Sequence, residues 1–142
     1  MNADLVERVL VDTNVASWIG AGRGRHAEWA AALVGRRPFV SFITVGEILR
    51  GGIMAGWSEA KVGEWERRLR VYTVIPGSIL VARAYGRIGA RYYRQVADND
   101  LWIAATALAY ELPIATADEQ LGTVATAFGI ELVDLPISQA GV

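Results

Sequence analysis

The chain has no cysteine and a single histidine, His26. Without thiols there is neither a disulfide nor a thiolate metal site. With one imidazole, a bound metal must rest mainly on oxygen ligands, and a Ser-His-Asp hydrolase would depend on that one ring. Lysine is nearly absent too, since thirteen of the 14 basic residues are arginine, the side chain better suited to bidentate phosphate contact. The longest apolar stretch, Leu101 to Tyr110, ends at Glu111. That is well short of the roughly 20 residues that span a bilayer, so no membrane partner is expected. There is no low-complexity tract, internal repeat or linker, which excludes a disordered or collagen-like chain. Met1-Asn2-Ala3-Asp4 lacks the basic region, apolar stretch and small-residue cleavage site of an export signal, so a cytoplasmic location is expected.

What remains is 142 residues, 53% hydrophobic and 20% charged, enough for one globular domain over residues 1–142. The formal net charge of -1, taken as a total, disfavours nucleic acid. The fifteen acids, less four set aside below, leave eleven against fourteen bases, so the rest of the chain is at roughly +3.

Apolar periodicity alternates strand and helix along the chain. Arg8 to Val11 reads as a buried strand ending at Asp12, followed by a helix from Thr13 to Ile19 and an Ala-rich one from Arg25 to Val34. Phe39 to Ile43 reads as a second strand, with a helix beginning near Thr44 and running to Met54, weakened at Gly51-Gly52. Ser58 caps the next helix, whose stripe of Val62, Trp65 and Leu69 suits core, subunit interface or a partner's groove, with Glu64/Arg68 and Glu66/Arg70 as outer pairs. Val71 to Ile75 reads as a third strand, Ser78 to Gln95 and Asp98 to Glu111 as helices, and Pro113 to Thr116 as a fourth strand. Ala117 to Phe128 and Ile130 to Asp134 complete the pattern, and the last eight residues read as a loose tail. The alternation predicts a three-layer α/β/α sandwich around a parallel sheet, with ligands beyond the carboxyl ends of the strands.

Four acids map to that end: Asp12 after strand one, Glu47 just past strand two, Asp100 opening a helix, and Asp118 just past strand four. Acids beside buried strand ends need a partner, because desolvation penalises the charged form. Two like charges about 4 Å apart repel by roughly 4 kcal/mol at an effective dielectric near 20, so a set of four takes up protons or a cation. Oxygen ligands favour Mg²⁺ or Mn²⁺, which activate water toward a phosphodiester.

The segments Val9-Leu10-Val11-Asp12-Thr13-Asn14, Ser41-Phe42-Ile43-Thr44-Val45-Gly46-Glu47-Ile48 with Gly51, Asn99-Asp100-Leu101-Trp102-Ile103-Ala104-Ala105-Thr106-Ala107, and Thr116-Ala117-Asp118 together resemble the PIN domain, in particular VapC-type toxins. The likeness spans nearly the whole chain, in order and spacing. It implies an Mg²⁺- or Mn²⁺-dependent endoribonuclease that cleaves RNA, is usually a homodimer, and is held inactive by a small antitoxin protein. By position, it implies Asp12, Glu47, Asp100 and Asp118 as the catalytic and metal-binding acids, with Asn14, Thr44 and Thr116 as polar supports. Ala117 stands where relatives often carry arginine, which removes one possible phosphate contact.

Structural roles compete for the same residues. Asp12 and Asp118 suit helix N-caps, and Glu47 suits a first helical turn. Asp98 and Asp100, two apart on a helix, point roughly 200° apart, and the assignment adopted is Asp98 as cap and Asp100 at the metal. Arg83, Arg87 and Arg91, every four residues on one helix and extended by Arg94, form either a solvated face or an RNA track. His26 reads as a surface residue. Two rival functions remain: a catalytically silent module binding RNA or an antitoxin, and a phosphotransferase using Asp12 as nucleophile. The second is disfavoured because Asn14 stands where such enzymes place a general acid.

Overall fold

The computed structural model describes residues 6–135. In chain order the elements are β1 (Arg8–Val11), α1 (Thr13–Ala21), α2 (His26–Leu33), β2 (Arg37–Ser41), α3 (Phe42–Met54), α4 (Glu59–Arg68) with a 3₁₀ turn at Leu69–Val71, β3 (Thr73–Ile75), α5 (Ile79–Tyr92), α6 (Asp98–Tyr110), β4 (Ile114–Ala115), α7 (Glu119–Ala127) and β5 (Leu132–Val133). The strands form one parallel sheet in the order β3-β2-β1-β4-β5.

Strand residues alternate between two cores, as the pleat requires. Leu10 lies beside Phe39 and Ile114 in register, and these pack with α5, α6 and α7. Val9, Val11, Val40 and Ala115 point the other way, into a core built with α1 to α4. Val9, Leu10 and Val11 are all fully buried, the reason that strand reads as continuous apolar sequence. The three-layer α/β/α sandwich expected from the alternation is the fold found.

The chain builds outward from β1 through β2 to β3, then returns past β1 to lay down β4 and β5. The reversal falls between β1 and β4, and in open parallel sheets ligands bind at such a switch point, beyond the strand ends. Asp12 follows β1 and Asp118 follows β4 there, tied by the backbone hydrogen bond from Asp12 N–H to the Ala115 carbonyl at 3.1 Å.

Several boundaries differ from the sequence reading. Phe42 and Ile43, expected in strand two, are already helical, because the Ser41 hydroxyl accepts from Ile43 N–H and caps α3 with no intervening loop. Val71 lies in the 3₁₀ turn and is 70% exposed, so β3 starts only at Thr73. Trp65 and Leu69 of the α4 stripe are core residues, stacked under Trp57 in the first case. Of the two outer pairs, Glu64–Arg68 forms an ion pair, whereas Glu66–Arg70 makes none among the described residues. His26 is half-buried, and its Nδ1 has no hydrogen-bond partner among the described residues. Of the expected tail, Leu135 packs on the α1 to α4 core, and residues 136–142 lie outside the described residues.

Candidate active site

Asp12 is 3% exposed, and both of its oxygens are occupied. Oδ1 accepts from Val15 N–H at 2.9 Å, capping α1, and Oδ2 accepts from the Thr116 hydroxyl. Thr116 Oγ1 in turn accepts from Asp118 N–H at 3.0 Å, and Asp118 Oδ1 caps α7 through Leu121 N–H at 3.0 Å. The capping roles weighed for Asp12 and Asp118 are therefore real and coexist with their place at the switch point. Thr116 links the two acids across β1 and β4.

Glu47 sits on α3 and is gripped from two sides. Thr13 Oγ1 donates to its Oε1 at 2.7 Å, and Asn99 Nδ2 donates to its Oε2. The Thr13 and Thr44 hydroxyls lie 3.0 Å apart, so buried Thr44 supports the grip from below. Thr13 and Asn99 are the residues the sequence reading passed over. Asn14, named there as a support, is exposed and takes no part in this network among the described residues. The signal that could have found Asn99 is its position beside Asp100 at the start of α6, one step around the helix from the acid.

Asp100 makes no hydrogen bond among the described residues. Burial raises its pKa, and the charges of Asp118, Asp12 and Glu47 add to the effect, so it is pushed up to about 6. Asp12 is also raised, first by burial and less by Asp118 and Glu47, against the lowering bonds from Thr116 and Val15. The four acids are thus electrostatic neighbours. None pairs with an arginine or lysine among the described residues, so nothing of opposite sign neutralises them.

They are not an assembled ligand shell: as placed, no group of three or more His, Asp or Glu side chains is arranged to hold a metal ion among the described residues. Glu47 is turned toward Thr13 and Asn99, and Asp12 and Asp118 toward backbone donors. The donor set nonetheless has the chemistry of a hard-cation site, all oxygen, with Asp100 free of hydrogen bonds among the described residues.

Asp98 is not the cap of α6. Ala97 holds that position without a side-chain bond, and the Asp98 carboxylate accepts from the Tyr85 hydroxyl of α5. The Tyr85 ring stacks on Trp102, with centroids 3.7 Å apart and planes 7° from parallel, fixing α5 against the helix that carries Asp100. Arg83, Arg87 and Arg91 are exposed along α5, and Arg91 lies over the Tyr92 and Phe128 rings at 5.2 and 5.9 Å. None of the three pairs with the acids. Ala117 is exposed beside the site, with no side chain capable of a phosphate contact.

The family model described as PIN domain matches residues 9–127. Among solved structures, VapBC2 from Rickettsia felis, bound to a DNA fragment from its promoter, superposes with a TM-score of 0.75 at 16% identity, covering 91% of this chain and 99% of that one. VapBC-1 from nontypeable Haemophilus influenzae gives 0.73 at 23% identity, over 89% and 97%. VapBC-5 from Mycobacterium tuberculosis, a member of the VapBC family of toxin-antitoxin systems, gives 0.65 at 25% identity, over 90% and 98%. No curated protein matches the chain.

Proposed function

Because this chain belongs to the PIN domain family, we propose that it is a VapC-type endoribonuclease toxin that hydrolyses RNA phosphodiester bonds with Mg²⁺ or Mn²⁺. In this reading it works as a homodimer in the cytoplasm and is inhibited by a cognate antitoxin. The toxin-antitoxin complexes among its structural neighbours support the antitoxin partner. No helix among the described residues is long and apolar enough to cross a membrane.

One observation carries the reading. At the switch point of the sheet, burial and the neighbouring charges of Glu47 and Asp118 raise the proton affinity of Asp12 and Asp100, and no arginine or lysine pairs with any of the four among the described residues. A divalent cation bound there supplies water activation and neutralisation of phosphate charge. The chain's own residues do the rest. Asp12, held in one rotamer by Val15 and Thr116, and Glu47, held by Thr13 and Asn99, present fixed charge. Asp100, which makes no hydrogen bond among the described residues and whose pKa is pushed up to about 6, would be a further oxygen ligand for the ion. Asp118 joins this set through the Thr116 relay. The exposed arginines of α5, Arg83, Arg87 and Arg91, offer a path for the RNA backbone.

The test is RNA cleavage by purified protein with Mn²⁺. Asp12→Asn and Asp100→Asn are expected to keep the fold, read by circular dichroism, and to lose cleavage. Full activity in either folded variant would remove these acids from the mechanism. The rival reading, a catalytically silent module that binds RNA or an antitoxin, takes its support from the acids' unassembled arrangement. Wild-type protein that binds RNA yet cuts none at any Mn²⁺ concentration would favour it.

A further inference from the structure

Helix α6 carries Asp100 in its first turn, yet its own N-cap does not pin that turn. Ala97 stands there without a side-chain acceptor, so the free N–H groups that open a helix gain no capping bond. Five other helices, α1, α3, α4, α5 and α7, are each capped by a side chain, from Asp12, Ser41, Ser58, Ser78 and Asp118. What holds the turn of α6 comes from α5 instead. The hydroxyl of half-buried Tyr85 donates to the Asp98 carboxylate, and the Tyr85 ring stacks on Trp102 with centroids 3.7 Å apart and planes 7° from parallel. Asp98 and Trp102 are four residues apart and so share one face of the helix. A single side chain therefore grips α6 at two points across its first turn, which fixes the rotation of that turn about the helix axis.

That rotation reaches the acids. Asn99 and Asp100 project roughly 100° and 200° around the axis from Asp98. Asn99 Nδ2 donates to Glu47 Oε2, while Thr13 holds the other oxygen of Glu47 at 2.7 Å. Asp100 makes no hydrogen bond among the described residues, so no side-chain bond places it and it stands where the turn puts it. Tyr85 bonds to none of the four acids, and its only route to them is through α6.

We propose that Tyr85 is a positioning residue of the acidic site, whose double hold on Asp98 and Trp102 sets how the first turn of α6 presents Asn99 to Glu47 and Asp100 to a bound cation. The cation rests on the nuclease reading, whereas the hold on Asn99 is a property of the metal-free chain. Two simpler roles compete. Tyr85 would be a packing contact between α5 and α6 that affects stability alone, or exposed Asp98 would act on the site through its charge.

Three single variants of the full chain separate these roles, compared at a temperature where each is folded. Tyr85→Phe keeps the ring stack and drops the hydroxyl. Asp98→Asn drops the charge but keeps a carbonyl that accepts from Tyr85, and Asp98→Ala drops both. In metal-free protein, the side-chain amide resonance of Asn99 reports its bond to Glu47, and calorimetry with Mn²⁺ then reports on the acids. Tyr85→Phe and Asp98→Ala are expected to move the Asn99 signal toward that of a solvated amide. They are also expected to weaken Mn²⁺ binding about tenfold or more, the range for groups that orient metal ligands. Asp98→Asn is expected to stay near wild type in both. Either readout unchanged in Tyr85→Phe, whatever happens to its thermal midpoint, would leave Tyr85 a packing residue and overturn the proposal. Asp98→Asn losing as much Mn²⁺ affinity as Asp98→Ala, with its Asn99 signal unmoved, would overturn it too, because charge and not placement would then be acting. If the wild type takes up no Mn²⁺, the nuclease reading fails and the Asn99 signal alone decides: displaced in Tyr85→Phe it supports the positioning role, and unmoved it overturns it.

Discussion

On one side of α3, Thr44, Ile48 and Gly52 are buried, and a Cβ added to Gly52 would come within 2.0 Å of the Trp57 ring. On the other side, Gly51 is the next residue along, and a Cβ there would touch nothing. Two adjacent glycines thus have opposite causes. Gly52 is small because Trp57 and Trp65 stack against α3 and α1, where Gly20 makes the same allowance for Trp65. Gly51 borders a groove with no occupant from the chain itself. The closed side holds the fold together, and the open side carries Glu47.

The largest expected effect separates the two sides by activity. Glu47→Gln should lower RNA cleavage by at least about 100-fold, the loss typical of disturbing a metal-site carboxylate, without shifting the thermal midpoint downward. Gly52→Ala should do the reverse, lowering the midpoint while the folded fraction stays active. Activity lost in step with stability in Glu47→Gln would erase the distinction.

Stability comes next. The Gly52→Ala clash costs about 1–3 kcal/mol of overpacking, more than the roughly 1 kcal/mol gained in helix propensity. Gly51→Ala gains that propensity without a clash and should be stabilised by up to about 1 kcal/mol in urea unfolding. Opposite signs at these neighbours are the sharpest structural test of α3.

A pH effect follows from the acids. Asp100 and Asp12 have folded-state pKa values raised above their unfolded ones, so the protonated forms favour folding. The stability they contribute is present below the unfolded pKa and is lost as pH rises through the folded value, about 6 for Asp100. Metal-free protein should therefore lose stability between pH 4 and pH 7 at these groups. Asp100→Asn should flatten that loss, and a scan of thermal midpoint against pH checks it. The smallest effect is expected at Glu111, which ends α6 with φ 54°. Glu111→Gly relieves that left-handed strain and should raise stability by about 1 kcal/mol or less.

Strand β1 was legible because its signal is local: an apolar run, Val9 to Val11, fully buried on both sides of a parallel sheet and followed directly by Asp12. What escaped depends on partners distant in sequence. Asp98 looked like a cap, but the Tyr85 hydroxyl, 13 residues earlier, holds its carboxylate. Phe42 and Ile43 have strand propensity, yet the Ser41 cap starts a helix directly at the strand end. Thr13 and Asn99 meet only at Glu47, 34 and 52 residues away from it, a convergence no spacing rule contains. The contrast between Gly51 and Gly52 is invisible in a Gly-Gly pair.

Calorimetric titration with Mn²⁺ above pH 6, comparing wild type with Asp100→Asn, decides whether these acids hold a divalent ion. The wild type is expected to give heat of binding and to release protons as the ion is taken up, with affinity strongly reduced in the variant. A wild type that takes up no ion, or a folded variant that binds as well, would contradict it.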